Sequence, residues 1–375
     1  MRRFMYVFAA LALFVCQLSG CSLFDTEYVS VKDYSPSPQE QSVSGERVNV
    51  KNFQALKQAL LSMAYAGQTE GTIVFDSAYE GDTTGDMASA CWQVRTQDAL
   101  CAYCVENIAY ELNKIVTINE ASVYISYSDV SESAGDIRHL SFSSGVDDII
   151  REAFSTGTKK LVVLIGRSSY SAEDMAAAVT RVYREHPALV PKEPLASVNM
   201  YSGTGAQRLY EIGINYGMTA EEMNARTARL RAVDAFSDLN KTDMSEAQLA
   251  YAAYEYLTDN CSVSDDKNNN NAYAALVEGR ANSEGLAFAY VELCRQLGVD
   301  CRIVYGQEDW QEHCWNIVRL DGSYYHVDVS AAITYAPGDG FLMNDEQAWG
   351  KYRWDVASYP KCAGELNLGD VVFDE

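Results

Sequence analysis

Asn271 to Ser330 reads NAYAALVEGRANSEGLAFAYVELCRQLGVDCRIVYGQEDWQEHCWNIVRLDGSYYHVDVS, and this stretch decides the fold. Leu286, Tyr290, Leu293 and Leu297 recur at helical spacing, and Gly298 stops the helix. CRIVYG, HCWNIVRL and SYYHVDVS then alternate like strands, with Asp321-Gly322 as a tight hairpin between the last two. The pattern predicts a helix packed on an antiparallel sheet. Ser283 stands where the helix begins, His313 on the second strand after it and Asp328 on the last. A hydroxyl, an imidazole and a carboxylate on three neighbouring elements have the composition of a nucleophilic triad.

The segments GRANSEGLA, HCWN and YYHVD resemble, in order, the three signature segments of the transglutaminase-like superfamily, relatives of papain-type cysteine peptidases. Gly279, Glu284, Gly285, Trp315, Asn316, Tyr325 and Val327 match the usual surroundings of those segments. The resemblance implies an α+β domain with a cysteine-peptidase-like site at Ser283, His313 and Asp328, supported by Glu284, Gly285, Trp315 and Asn316. Its one departure is at the nucleophile, where the family has Cys and this chain has Ser283.

A Cys beside His at a helix N-terminus ionises readily, whereas a Ser hydroxyl stays neutral and must lose its proton during attack. Ser is also a preferred helix N-cap, so Ser283 is expected to cap the helix with the chemistry lost. The alternative is an amide hydrolase or acyl transferase in which Ser283 attacks, His313 is the base and Asp328 orients it. Cys314 cannot substitute, because strand neighbours point to opposite faces. Cys294 lies three turns down the helix, about 16 Å away. Trp315 shares the face of His313, and His326, on the face of Asp328, is a rival partner for that carboxylate.

Upstream, Met1-Arg2-Arg3 and the apolar run Phe4 to Val15 read as a secretory leader, too short for a comfortable membrane span. Leu18-Ser19-Gly20-Cys21 matches a bacterial lipobox, which implies a lipid on Cys21 and an exported chain held to the outer face of the membrane. The expected organisation is a leader over residues 1–20, a Ser/Pro/acid-rich tether over 21–49, an α/β domain over 50–217 and the transglutaminase-like domain over 218–375. Within the α/β part the reading gives helices at 53–64, 97–115, 146–154 and 172–184 and strands at 71–75, 122–127 and 160–165. Residues 200–217 read as a hairpin, and Thr219-x-x-Glu222 and Ser245-x-x-Gln248 as capping boxes.

Twenty-nine basic against 52 acidic side chains give a formal charge of −23, which disfavours nucleic acid and anionic lipid as partners. The expected partners are therefore peptide, protein or cell-wall peptide, with the membrane reached only through the lipid on Cys21. No metal-ligand cluster and no phosphate-binding loop is legible, so no cofactor is implied. Asp266 to Val277 departs from a calcium loop at its sixth and twelfth positions, Asn271 and Val277. Besides Cys16 and Cys21 there are eight cysteines, an even number that permits complete pairing after export. Cys101-Ala-Tyr-Cys104 has redox or zinc spacing without a supporting context.

Overall fold

The computed structural model describes residues 47–115, 118–128 and 137–372. The leader, Cys21 and most of the tether lie outside the described residues. No helix among those residues is long and apolar enough to cross a membrane. The described residues divide into two compact units, one before residue 137 and one from residue 137 onward.

The first unit is a four-stranded sheet with helices against it. Its strands are β1 (Arg47–Val50), β2 (Glu70–Phe75), β3 (Val105–Ile115) and β4 (Ile118–Tyr127), in the order β1-β2-β4-β3, with only the β1–β2 pair parallel. Helix α1 (Phe53–Tyr65) is capped by Asn52, α2 (Thr83–Gln97) by Asp82 and α3 (Ala99–Cys104) by Asp98. Leu56, Leu60, Ile73, Met87 and Val123 meet in its core. The helix expected over 97–115 is corrected here. Only six residues after Asp98 are helical, and the chain then runs into β3. Val105, Ile108, Leu112 and Ile115 recur at three and four, but pairing along β4 outweighs that local pattern.

The second unit holds two four-stranded sheets. One comprises β5 (Arg138–Phe142), β6 (Lys160–Arg167), β7 (Leu195–Ser202) and β8 (Arg208–Asn215), in the order β5-β6-β8-β7. Helices α4 (Val146–Thr156) and α5 (Ala172–Glu185) bury their apolar faces with it. Helix α6 (Ala220–Arg231) and helix α7 (Glu246–Asn260) each begin with the expected capping box. After α7 come a short parallel pair, β9 (Ser262–Val263) with β10 (Arg280–Ala281), and helix α8 (Ala272–Leu276) between them. Asn271, the residue out of place in a calcium loop, is buried and caps α8.

The central helix α9 (Ser283–Leu297) closes on Gly298 at φ 79°, a left-handed position that glycine adopts without strain. It packs on the second sheet, β11 (Asp300–Glu308), β12 (Gln311–Leu320), β13 (Ser323–Val327) and β14 (Tyr352–Trp354), in the order β13-β12-β11-β14 and wholly antiparallel. Asp321 and Gly322, at φ 48° and 85°, make the tight turn between β12 and β13. Helix α10 (Val329–Thr334) and helix α11 (Asp345–Trp349) follow, and α12 (Leu368–Val372) ends the described chain.

The fold is therefore mixed α and β, with the expected helix-on-sheet core. The domain division expected between 217 and 218 falls inside the second unit. Val146, Ile150, Val182 and Tyr183 share one core with Ala287, Phe288, Val291 and Ile303, and the rings of Tyr183 and Phe288 lie 5.0 Å apart. Residues 137–217 thus complete the wall against which α9 is buried. All eight described cysteines are unpaired, which departs from the oxidation expected of an exported chain. Cys91 and Cys101 lie in the core of the first unit, while Cys294 and Cys362 belong to separate clusters of the second.

Candidate active site

The N-terminus of α9 places Ser283, and the cap there is not the expected one. Asn282 is the N-cap, its Oδ1 accepting from the Gly285 amide at 3.0 Å. A cap of this kind contributes about 1 kcal/mol. Ser283 is therefore the first residue of the helix, and its hydroxyl is not spent on capping. Its Oγ accepts instead from the Cys314 amide at 3.3 Å, across to β12. By position, the amides of Ser283 and Glu284 have no intrahelical acceptor. Gly285 is required by close approach, since a Cβ there would meet Asn269 O at 2.5 Å and Ala281 Cβ at 2.8 Å.

Antiparallel register pairs Gly306 with His313 and Asn316 with Val327. His313 and Trp315 then share one face of β12, while Cys314 and Asn316 share the other. Asn316 is 1 % exposed and its Nδ2 donates to Ala287 O at 3.1 Å, which pins the sheet to α9. Trp315 is 1 % exposed and lies beneath the imidazole, ring centroids 6.1 Å apart and nearly parallel. It supports the site from below.

Asp328 does not lie within the last strand as expected; it follows β13 and caps α10. Its buried carboxylate is fully used. Oδ1 accepts from the Ser330 amide at 2.9 Å and hydroxyl at 2.6 Å, and Oδ2 from Tyr352 OH at 2.8 Å and His313 Nε2 at 2.8 Å. Burial alone would raise its pKa, but the hydrogen bond and charge of His313, with Ser330 and Tyr352, hold the carboxyl below its ordinary value. Burial likewise works against a charged His313, yet Asp328, aided by the charge of Glu308, raises the imidazole pKa. The pair leans toward imidazolium and carboxylate.

Glu308 is the partner that sequence reading missed. Its Oε2 lies 3.4 Å from His313 Nδ1, and its Oε1 is 2.5 Å from Lys351 Nζ. The imidazole therefore stands between two carboxylates and makes no hydrogen bond to Ser283. Glu308 ends β11, two residues beyond the Gly306 that faces His313, so the β11–β12 register sets this contact.

His326 is not a rival for Asp328. Trp315 Nε1 donates to its Nδ1 at 3.0 Å, and its Nε2 faces Asp345 Oδ1 at 3.0 Å. Burial lowers the pKa of His326 against the opposing pull of Asp345, which favours a neutral ring with its proton on Nε2. His326, Asp345 and Cys362 bring ligand-type atoms within 4.8 Å of one another, as do Glu308, His313 and Asp328. In the first group the imidazole has no lone pair left for a cation. In the second, Asp328 and Glu308 already serve His313 and Lys351, so neither donor set fits a resident metal.

Glu284 flanks Ser283 and accepts from Asn270 Nδ2 at 3.1 Å. Burial raises its carboxyl pKa, and the charges of Glu193 and Glu312 raise it further against Asn270 and Arg184. Cys314 faces the same side, its thiol pushed up to about 12 by burial and by Glu284.

Ser283 on α9 thus meets the Cys314 amide of β12, while His313 of β12 pairs with Asp328 just beyond β13. Residues 235–329 match the transglutaminase-like superfamily, so the chain carries a transglutaminase-like domain. Among solved structures it is similar to one described as a TGase, with 12 % identity, covering 53 % of this chain and 60 % of that one at a TM-score of 0.27. It is similar also to menin, with 18 % identity over 34 % of this chain and 29 % of that one, TM-score 0.25. A third is a proposed cysteine protease from Cytophaga hutchinsonii, with 9 % identity over 40 % and 65 %, TM-score 0.23. The chain spans less than two thirds of each of these three relatives. No curated protein sequence matches it.

Proposed function

We propose that this is a catalytically impaired transglutaminase-like protein that holds an amide-bearing peptide, protein or cell-wall peptide at the inherited site without cleaving it. The observation that carries this reading is the state of the imidazole. His313 Nδ1 faces Glu308, its Nε2 faces Asp328, and the Ser283 hydroxyl is engaged by the Cys314 amide instead. A ring between two carboxylates is stabilised as imidazolium and is a poor base for a hydroxyl that must be deprotonated in the attack. In a thiol enzyme the same imidazolium would be an asset, because it stabilises thiolate. The free amides at the start of α9 remain able to receive a carbonyl oxygen.

A serine-directed fluorophosphonate tests this reading. Intact mass should show no adduct on the wild-type chain, while the Ser283 and Glu284 amide resonances shift on addition of a glutamine-bearing dipeptide amide. A covalent adduct that disappears in Ser283→Ala would establish the active-serine alternative. The lipobox supports a second part of the reading, attachment at the outer face of the membrane through Cys21. Cys21→Ser should move the protein from the membrane fraction to the soluble fraction; unchanged fractionation would argue against the lipid.

A further inference from the structure

Helix α5 and strand β11 border a cleft of about 460 Å³ lined in part by Tyr305 and Tyr359. In a chain of net charge −23 it is lined by three arginines, Arg181, Arg184 and Arg302. They are not equivalent. Arg181 is committed to Asp147, with Nη2 at 2.6 Å from Oδ1 and Nε at 3.3 Å from Oδ2. Arg302 meets Asp300 loosely at 3.6 Å, both side chains being about half exposed, and its guanidinium carbon lies 5.8 Å from the centroid of the Tyr324 ring. Arg184 has no ion pair among the described residues. Its guanidinium carbon lies 4.2 Å from the centroid of the Tyr305 ring, and its Nε is buried without a hydrogen-bond acceptor.

A buried guanidinium N–H without an acceptor is costly to leave, on the order of 1–3 kcal/mol for a polar group and more for a charged one. Tyr305 OH, against the same arginine, is also buried without a partner. Tyr359 and Ile303 add aromatic and apolar wall, and the Tyr359 hydroxyl accepts from the Tyr305 amide at 3.1 Å, which fixes that side. Glu185 is the one acid in the lining; burial raises its carboxyl pKa and Asp147 raises it further, against Arg181, Arg151 and Arg302.

We propose that this cleft is a binding site for a carboxylate carried on an apolar or aromatic body, with Arg184 as the anchor and Arg302 a more distant positive charge at the rim. The guanidinium fork matches a planar carboxylate, and the volume falls within the range of small-molecule sites. The aromatic walls favour an organic acid over a bare inorganic anion. The assignment is independent of whether Ser283 is active.

N-acetylphenylalanine, its uncharged amide and inorganic phosphate, each titrated into the whole chain by calorimetry, distinguish the outcomes. The acid should bind at least about tenfold more tightly than the amide or phosphate, and binding should weaken as salt is raised. Arg184→Gln should reduce it by at least about tenfold, one buried charge-assisted hydrogen bond being sufficient for that loss. Arg302→Gln, at a more exposed position where folding is not at stake, should reduce it by a smaller factor. Equal binding of acid and amide, preference for phosphate, no binding of the acid, or indifference to both substitutions would each overturn the assignment.

Discussion

Ser283→Cys should create a thiol that iodoacetamide alkylates rapidly at pH 6, where Cys91, Cys104, Cys261, Cys314 and Cys362 stay silent. The new sulfur would stand at the first position of α9, next to the Cys314 amide, one residue along β12 from His313, whose imidazole pKa is raised by Asp328. Helix N-terminus and imidazolium both favour thiolate, and family sites of this type bring a Cys pKa from about 8.5 to between about 3.5 and 7.5. A fall of about three units raises the thiolate fraction at pH 6 by on the order of two hundredfold. The lower basicity gives back on the order of twentyfold of this through weaker nucleophilicity. A net gain of about tenfold over an ordinary exposed thiol is expected. The background is favourable, since burial pushes Cys91 and Cys261 up to about 11 and Cys104, Cys314 and Cys362 up to about 12. Intact mass and peptide mapping at pH 6 measure the rate. A sluggish introduced thiol would mean that the His–Asp pair does not reach the position of Ser283.

Asp328→Asn carries the largest expected cost in stability. The carboxylate is 1 % exposed, and it is shared by His313, Tyr352 and Ser330. Removing one partner of a buried ion pair costs about 3–5 kcal/mol, because the remaining charge is left uncompensated. The pH dependence follows from the two shifts. Asp328 has a depressed pKa in the folded chain, so its stabilisation is present above the unfolded value of about 3.9 and is lost as pH falls through the folded one. His313 has a raised pKa, so its stabilisation is complete below the unfolded value of about 6.5 and is lost as pH rises through the folded one. The gap between wild type and Asp328→Asn in chemical denaturation should be widest between about pH 4 and 6.5 and should narrow on either side. A difference that stays flat with pH would separate Asp328 from His313.

Much of this arrangement is written locally. The apolar spacing of Leu286, Tyr290, Leu293 and Leu297, stopped by Gly298, is a helix whatever surrounds it, and Asp321-Gly322 admits little but a tight turn. The capping boxes at Thr219 and Ser245 are equally self-contained. Local pattern misleads where a distant partner decides. Val105 to Ile115 has helix-compatible spacing but is drawn into a strand by β4, and Ser283 resembles a cap until Asn282 takes that role. The domain division was not legible either, since only the packing of Val146 and Tyr183 on Phe288 and its neighbours joins residues 137–217 to α9. At the site, the order Ser283, His313 and Asp328 could be read along the chain. Glu308, Lys351, Tyr352 and Asp345 could not, because loops and antiparallel register bring them in and no repeat marks them.

The central claim is that His313 is held as one half of a buried ion pair with Asp328 and is unable to serve as base for Ser283. Its imidazole titration, followed by ¹H–¹⁵N NMR in the wild-type chain and in Asp328→Asn, tests this most directly. The pKa of His313 should lie above the ordinary value of about 6.5 in the wild type and drop when the carboxylate is replaced. A wild-type ring that titrates at or below the ordinary value, or one indifferent to Asp328→Asn, would contradict the account.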